Sequence, residues 1–199
     1  MAMLATEAKL RLMAANKPER PATYADIEAL PENVVGEILH GVLYTHPRPT
    51  IPHAAASSAI GEELGPPFKR GRGGPGGWHI LDEPELHLVE DVIVPDLAGW
   101  RRERLPEMPR AAFFTMAPDW LCEVLSPSTA RVDRAIKLPL YARYDVAHVW
   151  FVDPDVKTLE IYRLDGSTYR LVATYAGEES VRAEPFDAIA LDLALLWEL

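Results

Sequence analysis

The sequence predicts a mixed α/β fold in which one sheet carries only a few helices. Strand-like runs, rich in β-branched and aromatic residues, recur through the second half of the chain. These runs are WHIL, ELHLV, DVIVPDLAGW, WLCEVL, HVWFVD, TLEIYRL and YRLVATY. The one strong helical segment among them, about Thr129 to Tyr144, separates WLCEVL from HVWFVD. This order predicts a right-handed strand-helix-strand crossover with parallel central strands, flanked by antiparallel hairpins.

Length and composition predict one globular domain. The chain has 199 residues, of which 48% are hydrophobic and 25% charged, so it can bury a sizeable core. We assign residues 23–199 to this domain and residues 1–22 to an N-terminal arm or short helix, because charged residues interrupt the apolar region that a signal peptide needs. The single cysteine, Cys122, excludes an intramolecular disulfide, and no run approaches the roughly 18 residues of a membrane span. We therefore expect a cytoplasmic protein without a membrane partner.

The charge is acidic overall but unevenly distributed. A formal net charge of −10 argues mildly against a general nucleic-acid binder, whose affinity depends on neutralising phosphates. Basic residues nevertheless collect in KRGR, WRRER and RVDRAIK. Two interpretations stay open, since these residues could be scattered solvated charges or could form a local positive groove.

The first half of the chain begins with a short helix and a hairpin. Thr23 has the position of an N-cap for a helix that ends before Pro31, and VVGEILHGVLY reads as two strands that turn at His40–Gly41. A second helix follows from Pro52 to about Leu64. We predict that GPPFKRGRGGPGGW is a surface loop, because its glycines match neither a Walker nor a dinucleotide-binding fingerprint.

Three predicted strands each carry one acid among apolar neighbours. Glu123 shares a strand face with two leucines, Asp96 with Val94 and Ala98, and Glu37 with a valine and a leucine. A single such acid is usually a strand-end residue that faces water. Three together favour another explanation, because carboxylates brought close in a low dielectric share a proton or bind a divalent cation such as magnesium or manganese.

The long helix places a lysine near these acids. Asp133, Lys137 and Tyr141 are four residues apart and therefore share one helix face. Lys137 could point back over the strand ends, or it could form an ordinary exposed ion pair with Asp133. Pro139 removes a backbone donor, so we expect a kink or break just after Lys137.

Taken in order, these segments resemble the Uma-two-type family of restriction endonuclease domains, which is placed in the PD-(D/E)xK nuclease superfamily. The resemblance covers nearly all of the chain from about Thr23 onward. Its most specific part is EVLSPST, followed by an aspartate, a lysine and a tyrosine at four-residue steps and then by VAHVWFVDP. It implies a restriction-endonuclease-like mixed sheet as the fold.

Carried over residue by residue, the resemblance implies a catalytic and metal-binding site. Asp96 in VPD matches the first superfamily acid, Glu123 in CEVL matches the second, and Glu37 matches an additional family acid, so that all three would be metal ligands. Leu125 stands where the superfamily lysine is expected, and Lys137 is the replacement that the family suggests. His53 lies where the family often has histidine, and a structural role is favoured for it. The sequence departs from the family pattern at Asp145, where a glycine often ends the helix, and at Val149, where an aromatic residue often precedes the tryptophan. Neither position touches this site.

The implied activity is hydrolysis of phosphodiester bonds with Mg²⁺ or Mn²⁺. The partner would be nucleic acid, with DNA favoured over RNA, and a homodimer is one option for assembly. Two alternatives stay open. One is a catalytically inactive DNA-binding or regulatory module on the same fold, and the other is a metal-dependent hydrolase of a smaller phosphate ester.

Overall fold

The computed structural model describes residues 20–46 and 48–198, so most of the predicted N-terminal arm lies outside the described residues. The first helix, α1 (Tyr24–Glu28), follows the N-cap Thr23 as predicted. Strands β1 (Val35–Leu39) and β2 (Val42–His46) form the predicted antiparallel hairpin. Its two turn residues, His40 and Gly41, have φ of 53° and 73°, the left-handed conformation that a two-residue hairpin turn requires.

The remaining strands complete two main sheets. Their bounds are β3 (Trp78–Asp82), β4 (Leu86–Leu88), β5 (Asp91–Ile93), β6 (Leu97–Arg101), β7 (Trp120–Val124), β8 (His148–Asp153), β9 (Thr158–Asp165) and β10 (Thr168–Ala176). The larger sheet has the order β10-β9-β8-β7-β6-β3, and the smaller has the order β2-β1-β5-β4. Strands β7 and β8 pair in parallel, and their neighbours in the larger sheet pair antiparallel, so the predicted mixed sheet is confirmed.

The crossover helix between β7 and β8 contains a wide turn that ends at Lys137 and does not break after it, where a kink or break was predicted. It consists of α3 (Ala130–Val132), a π-helical turn (Asp133–Lys137) and α4 (Leu138–Arg143). The amide of Leu138 donates to the carbonyl of Asp133, five residues back. The helix therefore widens before Pro139 and continues past it, because the π turn accommodates the missing backbone donor.

Helices cover both faces of the larger sheet. The helix α2 (Ile51–Leu64) packs on the face that carries Trp120, Cys122 and Val124, whereas the crossover helix packs on the face of Leu121 and Leu125. Cys122 is fully buried, as expected for a packing thiol. Near the end of the chain, β11 (Ser180–Val181) pairs with β12 (Leu191–Asp192), and a 3₁₀ turn (Leu193–Trp197) packs against α2. Glu123 lies on the face that the crossover helix covers.

Two predictions of local structure were wrong. DVIVPDLAGW is not one strand, because it is interrupted between β5 and β6 at Val94, Pro95 and Asp96. Pro95 has no N–H to donate to a strand ladder, so Asp96 lies in the break and not on a strand face. The glycine-rich segment is also not entirely loop, because Gly65–Lys69 forms a π-helical turn that extends α2. Among the described residues, no helix is long and apolar enough to cross a membrane.

Candidate active site

Glu123 is a buried acid in the middle of β7, and only 3% of its surface is exposed. Its Oε1 accepts hydrogen bonds from Lys137 Nζ, at 3.0 Å, and from the Tyr141 hydroxyl. Burial raises the pKa of Glu123 well above its usual value, and neighbouring carboxylates, Asp133 first, raise it further against the opposing charge of Lys137. Among the described residues its Oε2 has no hydrogen-bond partner, so this oxygen is available to a ligand.

Lys137 is the buried cation at the centre of this group. Its Nζ lies 2.9 Å from Glu37 Oε1, 3.0 Å from Glu123 Oε1 and 3.7 Å from Asp133 Oδ1. Burial alone would lower the pKa of Lys137, but the charges of Glu123, Glu37 and Asp133 outweigh it and raise that pKa well above its usual value. The ammonium is therefore protonated at neutral pH. An exposed Asp133–Lys137 pair is excluded, since both side chains are at most 5% exposed.

Both carboxylate oxygens of Glu37 are already engaged. Oε1 accepts from the backbone N–H of Val94 at 2.8 Å and from Lys137, and Oε2 is 2.9 Å from His46 Nε2. Burial would raise the pKa of Glu37, but Lys137, His46 and the Val94 amide together lower it. Glu37 is therefore an ionised carboxylate that holds Lys137 from the strand of the smaller sheet.

Asp96 joins the crossover region to α2. Its Oδ2 accepts from the backbone N–H of Val124 at 2.7 Å, and its Oδ1 lies 3.3 Å from His53 Nε2. Burial would lower the pKa of His53, but the Asp96 carboxylate raises it on balance. His53 Nδ1 is buried and has no hydrogen-bond partner within the described part of the chain. His53 thus has one nitrogen toward Asp96 and one nitrogen that is not engaged.

One pocket of about 110 Å³ brings the predicted site residues together. Asp96, Glu123, Lys137 and Glu37 all line it, although they come from four separate segments of the chain. A neighbouring cavity of about 700 Å³ shares His53 and Asp96 with this pocket. The smaller pocket can hold an ion and a phosphate group, and the larger cavity provides space for a more extended ligand.

The donor set of the pocket fits a divalent ion bound by two carboxylates. Mg²⁺ typically uses one or two protein carboxylates and keeps water or substrate phosphate as its other ligands. Asp96 and Glu123 line the same pocket. Among the described residues Glu123 Oε2 has no hydrogen-bond partner, and Asp96 accepts one backbone N–H on Oδ2 with His53 3.3 Å from Oδ1. Glu37 fits less well because its two oxygens already meet three donors. Over residues 20–46 and 48–198, no group of three or more His, Cys, Asp or Glu side chains has the arrangement of a metal site.

Three residues of this site were not among the sequence-predicted site residues. Asp133 contacts Lys137, and Tyr141 contacts Glu123. The sequence signal for both residues was their spacing of four positions from Lys137. His46 was missed, although the hairpin register pairs Val35 with His46 and Glu37 with Tyr44. That register puts His46 on the same face of the hairpin as Glu37, two residues along β2 from Tyr44, which is the direct partner of Glu37.

Comparisons with known proteins found a matching family and a solved structure of similar fold. Residues 21–195 match the model of a family, Uma2, described as "Putative restriction endonuclease". The structure is similar to the 1.96 Å crystal structure of a "putative nuclease belonging to DUF820" from Anabaena variabilis ATCC 29413. The TM-score is 0.72 at 22% sequence identity, over 89% of this chain and 98% of the other, so the likeness shows a shared fold. The comparison with curated proteins found no match.

Proposed function

The chain belongs to the Uma2 family, and on this premise we propose that it is a nuclease that hydrolyses phosphodiester bonds with Mg²⁺ or Mn²⁺. DNA is the first substrate to test. One observation carries the proposal: Lys137 is buried within 3.0 Å of carboxylates from two different sheets, in a pocket that Asp96 also lines. Burying so many ionisable groups is costly, and such groups cluster where a protein performs chemistry.

Asp96 and Glu123 are the residues that would hold the metal. Asp96 is fixed by the Val124 amide, and Glu123 is fixed by Tyr141 and Lys137, so both carboxylates are oriented before an ion arrives. A bound divalent ion would polarise the scissile phosphoryl group and lower the pKa of an attacking water.

Lys137 would supply a fixed positive charge to the phosphate as negative charge develops on it. A lysine held protonated by carboxylates is a poor general base, so charge stabilisation is the role that its surroundings favour. Glu37, supported by His46, would position this ammonium from the opposite side. The metal-ligand role predicted for Glu37 stays a prediction, and its contacts favour the positioning role.

A catalytically inactive nucleic-acid-binding module is the second candidate. The observation that favours it is the engagement of both Glu37 oxygens and of one Glu123 oxygen by protein groups. Such a module would bind nucleic acid without metal-dependent turnover. The free Oε2 of Glu123 and its position beside Asp96 favour the nuclease.

A cleavage assay separates these candidates. Purified protein is incubated with supercoiled plasmid, single-stranded DNA, RNA and bis-p-nitrophenyl phosphate, each with Mg²⁺, with Mn²⁺ and with EDTA. Lys137→Met is compared with Lys157→Met, a matched change of an exposed lysine at a β-turn. We expect metal-dependent cleavage of DNA that Lys137→Met abolishes and Lys157→Met preserves.

The other outcomes are equally informative. Cleavage that is as fast in EDTA as in Mg²⁺ contradicts the metal-dependent mechanism. Binding of DNA without cleavage in either metal supports the inactive module. Turnover of the small ester alone supports a hydrolase of smaller phosphate esters.

A further inference from the structure

Two basic segments that are distant in sequence meet at one edge of the larger sheet. Lys69, Arg70 and Arg72 follow α2, whereas Arg101 is the last residue of β6 and Arg102 follows it. Arg102 Nη2 donates to the carbonyl of Lys69 at 3.0 Å, and Arg102 Nε donates to the carbonyl of Trp78 at 3.2 Å. The Arg101 guanidinium lies over the Trp78 ring, 4.6 Å from its centre. We call these five basic residues the basic patch.

The positive charges of the basic patch are not neutralised by neighbouring acids. Within the described residues, none of the five is in an ion pair, although the chain has ten more acidic than basic residues. Four of them are exposed and Lys69 is half-buried. The pKa of His79 is lowered by burial and, next, by the charges of Arg102 and Lys69. In an acidic protein, such a local positive field favours a polyanionic partner.

The large cavity links the basic patch to the candidate active site. His53 and Asp96 line one end of it, and Lys69 and Arg70 line another part. Between them the cavity follows small residues of α2, including Ser57 and Gly61. The helix advances by about 1.5 Å per residue, so the twelve steps from His53 to Gly65, where the π turn to Lys69 begins, span about 18 Å. At about 3.4 Å per phosphate along one strand of B-form DNA, this distance corresponds to roughly five base steps.

The middle of the cavity is acidic. Glu62 and Asp82, which lies beside Gly61, line it between its two ends. Glu83 lines it at the end of the candidate active site, where its backbone N–H donates to the Asp96 carbonyl at 2.9 Å. Phosphates are therefore disfavoured against this wall and favoured at the basic patch, where no carboxylate pairs with the cations. A polyanion that contacts both ends of the cavity must therefore place groups other than its phosphates against this acidic middle part.

We propose that the basic patch binds the phosphate backbone of the nucleic-acid substrate, roughly five base steps from the scissile phosphate. This inference rests on the proposed nuclease function and adds a second contact point to it. Contacts of this kind give affinity and register and carry no direct sequence information. Substrates too short to reach the basic patch gain nothing from it.

The salt dependence of binding tests the proposal. Anisotropy of a labelled duplex of about 24 base pairs, and of the corresponding single strand, is measured in EDTA between about 50 and 200 mM salt. Arg70→Ala/Arg72→Ala should reduce the magnitude of the slope of log K against log salt by about 1.8 for duplex, or about 1.4 for single strand. The control Lys157→Ala/Arg170→Ala removes two exposed cations elsewhere, Arg170 being on the opposite edge strand, and should leave the slope unchanged. Glu62→Gln should not weaken binding.

The same variants separate failure of the basic patch from failure of the nuclease. Hydrolysis of bis-p-nitrophenyl phosphate should be the same in wild type and Arg70→Ala/Arg72→Ala, since this ester cannot reach the basic patch. An unchanged slope in that double variant, or no binding of either strand form by wild type at low salt, overturns the role of the basic patch. If the slope falls while no phosphodiester is cleaved in any metal, the basic patch is supported as a nucleic-acid surface and the catalytic proposal fails.

Discussion

Lys137 Nζ lies 3.0 Å from Glu123 Oε1, although the two residues are fourteen positions apart on a helix and a strand. The nearer position, two residues after Glu123, is occupied by Leu125, which is buried in the core. The π turn that ends at Lys137 brings the lysine over β7 and also within reach of Glu37 on the smaller sheet. The ion pair thus joins the two sheets through one ammonium group.

The first prediction concerns the stability that Lys137 provides. Lys137→Met leaves Glu37, Glu123 and Asp133 buried without their cation, and loss of one partner from a buried ion pair typically costs about 3–5 kcal/mol. Urea unfolding in EDTA should show a loss of this size, whereas Lys157→Met should stay within about 0.5 kcal/mol of wild type. A loss below about 1 kcal/mol would mean that the carboxylates are satisfied without the lysine.

The second prediction separates the role of Glu37 from that of Asp96. If Glu37 positions Lys137 and Asp96 holds the metal, Glu37→Gln should lower the cleavage rate at saturating Mg²⁺ with little change in Mg²⁺ affinity. Asp96→Asn should instead weaken Mg²⁺ binding at least tenfold, about 1.4 kcal/mol, because a charged ligand is lost. Isothermal titration with Mg²⁺ measures both affinities. A large loss of affinity in Glu37→Gln would make Glu37 a metal ligand.

The third prediction concerns the Tyr141 hydroxyl, which donates to Glu123 Oε1. Tyr141→Phe should cost about 1–2 kcal/mol of stability and slow cleavage, because Glu123 loses one of the groups that orient it. Tyr169→Phe is the matched control, since its hydroxyl donates to the Val146 carbonyl and not to the site. The control should lose similar stability without a change in rate. Equal rates in the two variants would give Tyr141 a purely structural role.

The fourth prediction follows from the lowered pKa of Glu37. A carboxyl whose pKa is lower in the folded state adds stability above its unfolded pKa, and this contribution is lost as the pH falls through the folded value. The difference in unfolding free energy between wild type and Glu37→Gln should therefore be largest near neutral pH and shrink below about pH 4.5, its reference value. Denaturant titrations across that range measure the difference. A difference in unfolding free energy that increases as the pH falls would show that Glu37 is protonated in the native protein.

The sequence predicted those parts of the site that depend on local periodicity. Strand alternation placed Glu123 on a buried face, and four-residue spacing placed Asp133, Lys137 and Tyr141 together. The π turn was not foreseen, because the sequence shows Pro139 as a breaker and not the wider turn that accommodates it. The break at Pro95 was likewise overlooked within a strand-like run.

Contacts between the two sheets could not be predicted from one sequence. Periodicity gives the face of a strand but not how β1 approaches the crossover helix, so the contact between Glu37 and Lys137 was not predicted. The contact between His53 and Asp96 also depends on how α2 lies against the break after β5. Both contacts are set by tertiary packing.

Thermal unfolding of wild type and Glu123→Gln, each with EDTA and with Mg²⁺, tests most directly whether Glu123 is a buried metal ligand. Desolvation of Glu123 is unfavourable in the metal-free protein, as its raised pKa indicates, and Lys137 keeps Glu37 and Asp133 as partners when the Glu123 charge is removed. Glu123→Gln should therefore raise the melting temperature in EDTA. Mg²⁺ at about 100 times its dissociation constant should stabilise wild type by about 2.7 kcal/mol, a rise of roughly 5–11 °C, and the variant should lose most of that rise. A variant that is less stable in EDTA and responds to Mg²⁺ like wild type would contradict the metal site and make Glu123 a structural partner of Lys137 and Tyr141.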